Sequence, residues 1–145
     1  DLVAADASNT GSWWDQEPFD AILLDLPCSA TGVIRRNPDV RLMRSEASLK
    51  SLLGMQSMIL DATWETLKIN GRFLVTTCSI LPQENEHQIR KFLDRHPDAA
   101  LVQIEGVPGI HTQFGIQHFP LHTGGDGFFY SLLVKSAPTN GRVSA

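Results

Sequence analysis

The feature that most constrains this chain is the run Phe19-Asp-Ala-Ile-Leu-Leu24, apolar without alternation and ended abruptly by Asp25-Leu-Pro-Cys28. A strand with one wet face alternates apolar and polar residues, so an unalternating run predicts a parallel strand covered on both faces. Leu2 to Ala5 is a weaker strand candidate of the same kind. From Ser45 to Leu67, Leu49, Leu52, Leu53, Ile59, Leu60, Trp64 and Leu67 form a stripe at helical spacing, which predicts an amphipathic helix with Trp64 in the core. Asn70-Gly71 is expected to stop that helix, and the β-branched and aromatic run Arg72 to Thr77 to form the next strand. Pro82 suits the opening turn of a further helix, with Glu84 and Glu86 near its positive end and Arg90, Lys91 and Arg95 near its negative end. Ala100 to Ile104 and Phe128 to Lys135 read as strands, separated by a stretch rich in Gly, Pro and His that has no clear period.

Strand, helix, strand, helix, strand with short connections predicts an α/β domain on a mostly parallel sheet. Right-handed crossovers then set the strands ending at Leu24 and Thr77 side by side, with their C-terminal ends on the edge where open sheets bind ligands. Asp25, Cys28 and Cys78 are therefore expected to converge. With 145 residues the chain holds one domain or part of one, taken as 1–135 with a polar tail over 136–145. No run approaches the roughly 18 to 20 apolar residues of a membrane span, and no secretory leader opens it, so a cytoplasmic protein without a membrane partner is expected. Twelve Lys plus Arg against sixteen Asp plus Glu give a net charge of −4, so any contact with nucleic acid must be local.

Two cysteines are too few for a disulfide scaffold and lack the spacing of a zinc or redox motif, so both are read as reduced thiols. Each alone would pass as a small buried hydrophobe; at two neighbouring strand ends they point to chemistry. Arg35, Arg36, Arg41 and Arg44 form a basic cluster suited to phosphate contact, although a solvated loop accounts for it nearly as well. His111, His118 and His122 lack a partner at ligand spacing, and no metal is expected. Gly124-Gly125-Asp126-Gly127 precedes a strand, which makes it a turn and not a phosphate loop. Trp13 and Trp14 are left open between packing and stacking on bases.

The strings Asp25-Leu-Pro-Cys28-Ser-Ala-Thr-Gly32, Thr77-Cys78-Ser79 with Pro82-Gln-Glu-Asn85, and Gly125-Asp126-Gly127-Phe128-Phe129 resemble successive motifs of the Nop/Sun family of RNA cytosine-5 methyltransferases. Val33-Ile-Arg-Arg-Asn-Pro-Asp39 most resembles its bacterial members that act on 16S ribosomal RNA. The resemblance runs from about Asp6 to Lys135. It implies a Rossmann-like fold, S-adenosylmethionine as methyl donor and a ribosomal RNA cytosine as target. It also implies Cys78 as nucleophile and Cys28 as the thiol that assists release, with Asp25 at the base, Asp6, Asp25 and Pro27 at the cofactor, and Arg35 and Arg36 at the RNA.

The chemistry has its own logic. Cytosine C5 is a weak nucleophile until a thiolate adds to C6, and the charge that develops in the ring is compensated by a carboxyl group near N3. Cys78 and Cys28 both remain eligible on that logic alone, since DNA cytosine-5 methyltransferases attack with the Pro-Cys thiol. An amino-methyltransferase is disfavoured because Leu26 and Cys28 replace the Pro and aromatic usual at that strand end. An inert interaction module that folds only with a partner is the reading of a different class. Asp6 could equally be a solvated loop residue. Neither a Gly-rich turn nor a second acidic strand end precedes Asp6, so the N-terminal strands of the domain are expected to be missing, and the remaining N-terminal part of the same protein to act as partner. Their loss should leave an unpaired, apolar strand edge.

Overall fold

The computed structural model describes residues 1–43, 45–121 and 124–137. Arg44, His122 and residues 138–145 of the expected tail lie outside the described residues. The elements run β1 (Phe19–Asp25), α1 (Val40–Met43), α2 (Glu46–Glu65), β2 (Leu67–Thr77), α3 (Glu86–Arg95), β3 (Ala99–Val102), β4 (Ile110–His111), β5 (Ile116–His118) and β6 (Phe128–Lys135). They form a sheet in the order β1-β2-β6-β5-β4, with β3 also pairing with β6.

Ser45 starts α2 by accepting a hydrogen bond from the Ser48 amide at 3.2 Å while its own amide donates to Ser48 Oγ at 2.9 Å. This reciprocal cap satisfies two of the amides that a helix start leaves unpaired. The apolar stripe then does what its spacing requires. Ile59, Leu60 and Trp64 of α2 and Ile89 and Phe92 of α3 are buried with Phe73, Val75, Phe129 and Leu133 in one cluster. Phe73 and Val75 on β2, and Leu133 and Phe129 on β6, share a sheet face by register, so both helices cover that face. Trp64 sits at the centre: its ring meets Phe73 edge-on at 5.3 Å and Phe92 at 5.2 Å, and its indole N–H donates to Asp98 Oδ2 at 3.1 Å.

Several expectations require correction. Asn70-Gly71 does not stop the helix, which ends at Glu65 with the Thr66 amide capping the Thr63 and Trp64 carbonyls. Asn70 adopts a φ of 64° inside β2, where the register jumps from Phe19↔Leu67 to Ala21↔Arg72 and residues 68–71 bulge outward. The feature that favours a left-handed residue is thus a bulge. Leu2 to Ala5 form no strand; no neighbour pairs with them, and Leu2 and Val3 are exposed. β1 is parallel to β2 as expected but is not covered on both faces: Ile22 and Leu24 pack against the helix side, while Leu23 is 69% exposed. Among the described residues β1 pairs with β2 alone, which leaves the apolar edge that the sequence led us to expect.

The sheet is also not mostly parallel. The β1–β2 pair is parallel, whereas β2–β6, β3–β6, β5–β6 and β4–β5 are antiparallel. The cause is local. The turn before β6 lies against the loops that follow β1 and β2, with the Gly127 amide donating to Gly32 O at 2.9 Å, so β6 must start where β2 ends. β4 and β5 occupy the stretch without a period because strands of two and three residues are too short to show one. Pro82 opens a turn and not the helix itself, since α3 begins after Asn85. Glu84 is consequently buried in that turn and does not face the helix dipole from outside.

Trp64→Ala removes the ring on which Phe73 and Phe92 pack and should cost about 3–5 kcal/mol. Urea unfolding followed by far-ultraviolet circular dichroism measures it, and a loss below about 1 kcal/mol would contradict this core.

Candidate active site

Parallel pairing puts Asp25 opposite Thr76, and the Thr76 hydroxyl donates to Asp25 Oδ1 at 3.0 Å. The Leu26 amide makes a last sheet-like bond to Thr76 O at 2.9 Å before Pro27 turns the chain away. Ala30 takes a left-handed conformation with φ 59°, and a short 3-10 turn follows at Thr31–Val33. The Gly32 amide then donates to Cys78 O at 2.9 Å, returning the loop to the end of β2. Only glycine fits there, because a Cβ on Gly32 would lie 2.0 Å from Gly127 O and 2.8 Å from Cys78 O.

This path brings Cys28 and Cys78 together with a sulfur-to-sulfur separation of 3.4 Å, both free and half-buried. The two thiols share a hydrogen bond, and they polarise each other. Cys28 is pushed up by that bond and then by burial. Cys78 is drawn down to about 7 by the same bond, against the opposing effects of burial and of the nearby Asp25 and Glu84 charges. A group held near neutrality is ionised in a large fraction of molecules at physiological pH, which is what a sulfur nucleophile requires.

Beneath the two loops lies a buried polar layer. Glu84 accepts from the Ser29 amide at 2.7 Å, from Ser29 Oγ at 2.6 Å and from Ser79 Oγ. Asn85 accepts from Thr77 Oγ1 at 2.6 Å and donates to Ser79 O at 3.0 Å and Gln117 Oε1 at 2.7 Å. Gln56, reaching in from α2, donates to Pro27 O at 3.0 Å and accepts from Gln88 at 3.0 Å. Sequence reasoning did not single out this layer. Glu84 and Asn85 stand in the string quoted after the second thiol, but their burial depends on loops more than fifty positions apart meeting above them.

The other expected site residues divide. Asp25, Cys28 and Cys78 meet at the C-terminal edge of β1 and β2, with Pro27 exposed beside them. Asp6 does not join them. Its carboxylate accepts from Ser8 N and Ser8 Oγ, which hold it below the usual aspartate range, and its carbonyl accepts from the Trp13 indole N–H at 3.2 Å. Trp13 stacks on Phe19, at the other end of β1 from Asp25. Trp14 donates its indole N–H to Glu17 O at 2.9 Å, so both indole N–H groups serve local packing. Arg36 pairs with Asp126, and Arg35 reaches Gly124 O at 3.4 Å, so both are turned toward the segment before β6. Arg41 lies exposed on α1. Among the described residues no group of His, Cys, Asp and Glu has the arrangement of a metal site, and no helix is long and apolar enough to cross a membrane.

Residues 1–134 match the family described as 16S rRNA methyltransferase RsmB/F. The ribosomal RNA small subunit methyltransferase B of Xanthomonas campestris pv. campestris is 48% identical over 136 residues, which are 94% of this chain and 31% of that protein. The crystal structure of PH0851 shares 34% identity at a TM-score of 0.84, covering 92% of this chain and 30% of that one. NSun6 from Pyrococcus horikoshii, solved with SFG, shares 28% identity at a TM-score of 0.76, over 94% of this chain and 35% of that one. The chain thus spans about a third of the length of these relatives. The fold is the Rossmann-like α/β fold of the Nop/Sun methyltransferases. By sequence over nearly its whole length and by fold, the chain belongs to the 16S rRNA methyltransferase RsmB/F family.

Proposed function

We propose that this chain is the part of an S-adenosylmethionine-dependent enzyme that carries the reacting groups for methylation of cytosine C5 in small-subunit ribosomal RNA. The observation that carries the reading is the pair of thiols 3.4 Å apart at the sheet edge where Asp25 also ends. The family supports ribosomal RNA as the substrate, and SFG, an analogue of S-adenosylmethionine, in the Pyrococcus neighbour supports the cofactor. Such an enzyme meets its RNA in the cytoplasm.

In this reading Cys78 is the nucleophile, the role that the Nop/Sun resemblance implies for it, and its contact with Cys28 favours its thiolate. The Cys78 sulfur bonds to C6, and the C5=C6 electron pair moves into the ring, where Asp25 hydrogen-bonds the N3 side of the base. The displaced density makes C5 nucleophilic. Between the two steps of adduct formation and release, C5 takes the methyl group that S-adenosylmethionine carries. Release then needs the C5 proton to pass to a base such as water, the C5–H electron pair restoring C5=C6 as the C6–S pair departs on the Cys78 sulfur; Cys28, beside that sulfur, assists the elimination. Among the described residues of the basic cluster, Arg35 and Arg41 are better suited to meet phosphate than Arg36, whose charge is already matched by Asp126.

The residues named for the cofactor do not assemble among the described residues, because Asp6 lies by Phe19 while Asp25 and Pro27 lie at the far end of β1. The 145-residue chain alone should therefore bind S-adenosylmethionine weakly or not at all. Isothermal calorimetry measures this, and a dissociation constant of about micromolar order, near −8 kcal/mol, would contradict it.

The roles of the thiols separate in the full-length protein incubated with RNA and S-adenosylmethionine. Cys78→Ala should give neither methylated RNA nor a covalent complex. Cys28→Ala should still attack and transfer the methyl group, then stall, leaving a slow-migrating protein–RNA band on a denaturing gel. A band for Cys78→Ala instead would move the nucleophile to Cys28, and full turnover by both variants would end the covalent mechanism.

A further inference from the structure

We infer that Glu84 is the positioning residue that holds the two cysteine loops in register, setting the Cys28–Cys78 contact through the residue that follows each thiol. The inference deepens the covalent reading above and rests on it for its meaning in turnover. Glu84 stands in the turn between β2 and α3 and is 1% exposed. Its Oε1 accepts from the Ser29 amide at 2.7 Å and from Gln56 Nε2 at 3.3 Å; its Oε2 accepts from Ser29 Oγ at 2.6 Å and from Ser79 Oγ. Ser29 follows Cys28 and Ser79 follows Cys78, so one short side chain grips both loops immediately beyond the sulfurs. A carboxylate has about four acceptor sites, and four donors occupy them here. None is left for a base or a cofactor, which separates Glu84 from the groups that touch substrate.

Two further observations favour positioning. The backbone ties between the loops, Leu26 N to Thr76 O and Gly32 N to Cys78 O, lie on either side of Ser29–Ala30, so side chains carry the link between the loops at that segment. Ala30 is a non-glycine residue at φ 59°, a conformation that persists when its surroundings impose it. Glu84 bonds the amide just before it. Charge points the same way. The Glu84 carboxylate acts on both thiols to disfavour their ionised forms, whereas the largest influence drawing Cys78 down is its bond with Cys28. An acid whose charge opposes thiolate formation serves the site through the contact it enforces.

The test measures, in the full-length protein, the pH midpoint of Cys78 alkylation by iodoacetamide, with Cys78 resolved by peptide mass spectrometry and folding checked by circular dichroism. In Glu84→Ala the loops relax, the sulfur contact is lost, and the midpoint should climb from about 7 toward the ordinary cysteine value of about 8.5. Methyl-transfer kcat should fall on the order of 100-fold, with KM for S-adenosylmethionine unchanged within about twofold. Glu84→Gln keeps the shape and removes the charge, so its midpoint should stay at or below that of the wild type. If Glu84→Ala does not fold, the double variant Ser29→Ala and Ser79→Ala cuts the hydroxyl arms while keeping the carboxylate, and its midpoint should rise as well. A folded Glu84→Ala protein, or in its place a folded double variant, with an unchanged or lowered midpoint would overturn the inference. The alkylation readout needs no methyl transfer, so failure of the wild type to methylate cytosine would refute the proposed function without touching this result.

Discussion

Two parallel strands side by side present their C-terminal ends at the same height, and here that geometry decides everything downstream. With Asp25 opposite Thr76, the chain leaves β1 and β2 at one edge, and the next few residues of each have no choice but to meet. Three backbone amides record the meeting: Leu26 to Thr76 O, Gly32 to Cys78 O and Gly127 to Gly32 O. Without the first pairing neither thiol would have a neighbour. The aromatic cluster around Trp64 contributes by fixing β2 and β6 against α2 and α3, so the edge is carried on a rigid support.

The site's chemistry comes from burying polar groups in an orderly way. Glu84, Asn85, Gln56, Gln88 and Gln117 are all buried, and their hydrogen bonds interlock under the two loops. Burying so many polar groups is tolerable only when each finds partners, and the satisfied layer in return fixes loop positions that backbone bonds alone leave loose. The half-buried sulfurs above it are close enough to share a proton, which turns two ordinary cysteines into an unequal pair.

Much of this was legible in the sequence because strand ends and helix starts are written locally. The run into Asp25, the stripe from Leu49 to Trp64 and the run into Thr77 identified β1, α2 and β2, and chirality brought the two thiols together. What was misread depends on neighbours. Asn70 favours a left-handed conformation whether it ends a helix or shapes a bulge, and Lys68, bonded to Asp20 at 2.8 Å, belongs to the bulge. Strand direction for β6 follows from where its preceding turn docks. Glu84 was read as a helix-start acid because nothing in its own segment announces that Ser29 will lie above it. The pairing of Arg36 with Asp126 was not legible either, because the two lie far apart in sequence.

The central claim is that Cys78 attacks and Cys28 does not. It is tested most directly by incubating the full-length protein and S-adenosylmethionine with RNA whose cytosines are replaced by 5-fluorocytosine. Fluorine at C5 cannot leave as a cation, so the adduct persists after methyl transfer. Digestion and mass spectrometry of the trapped complex should find the nucleotide on the peptide containing Cys78. Attachment at Cys28, or no attachment to either cysteine while ordinary RNA is methylated, would contradict the account.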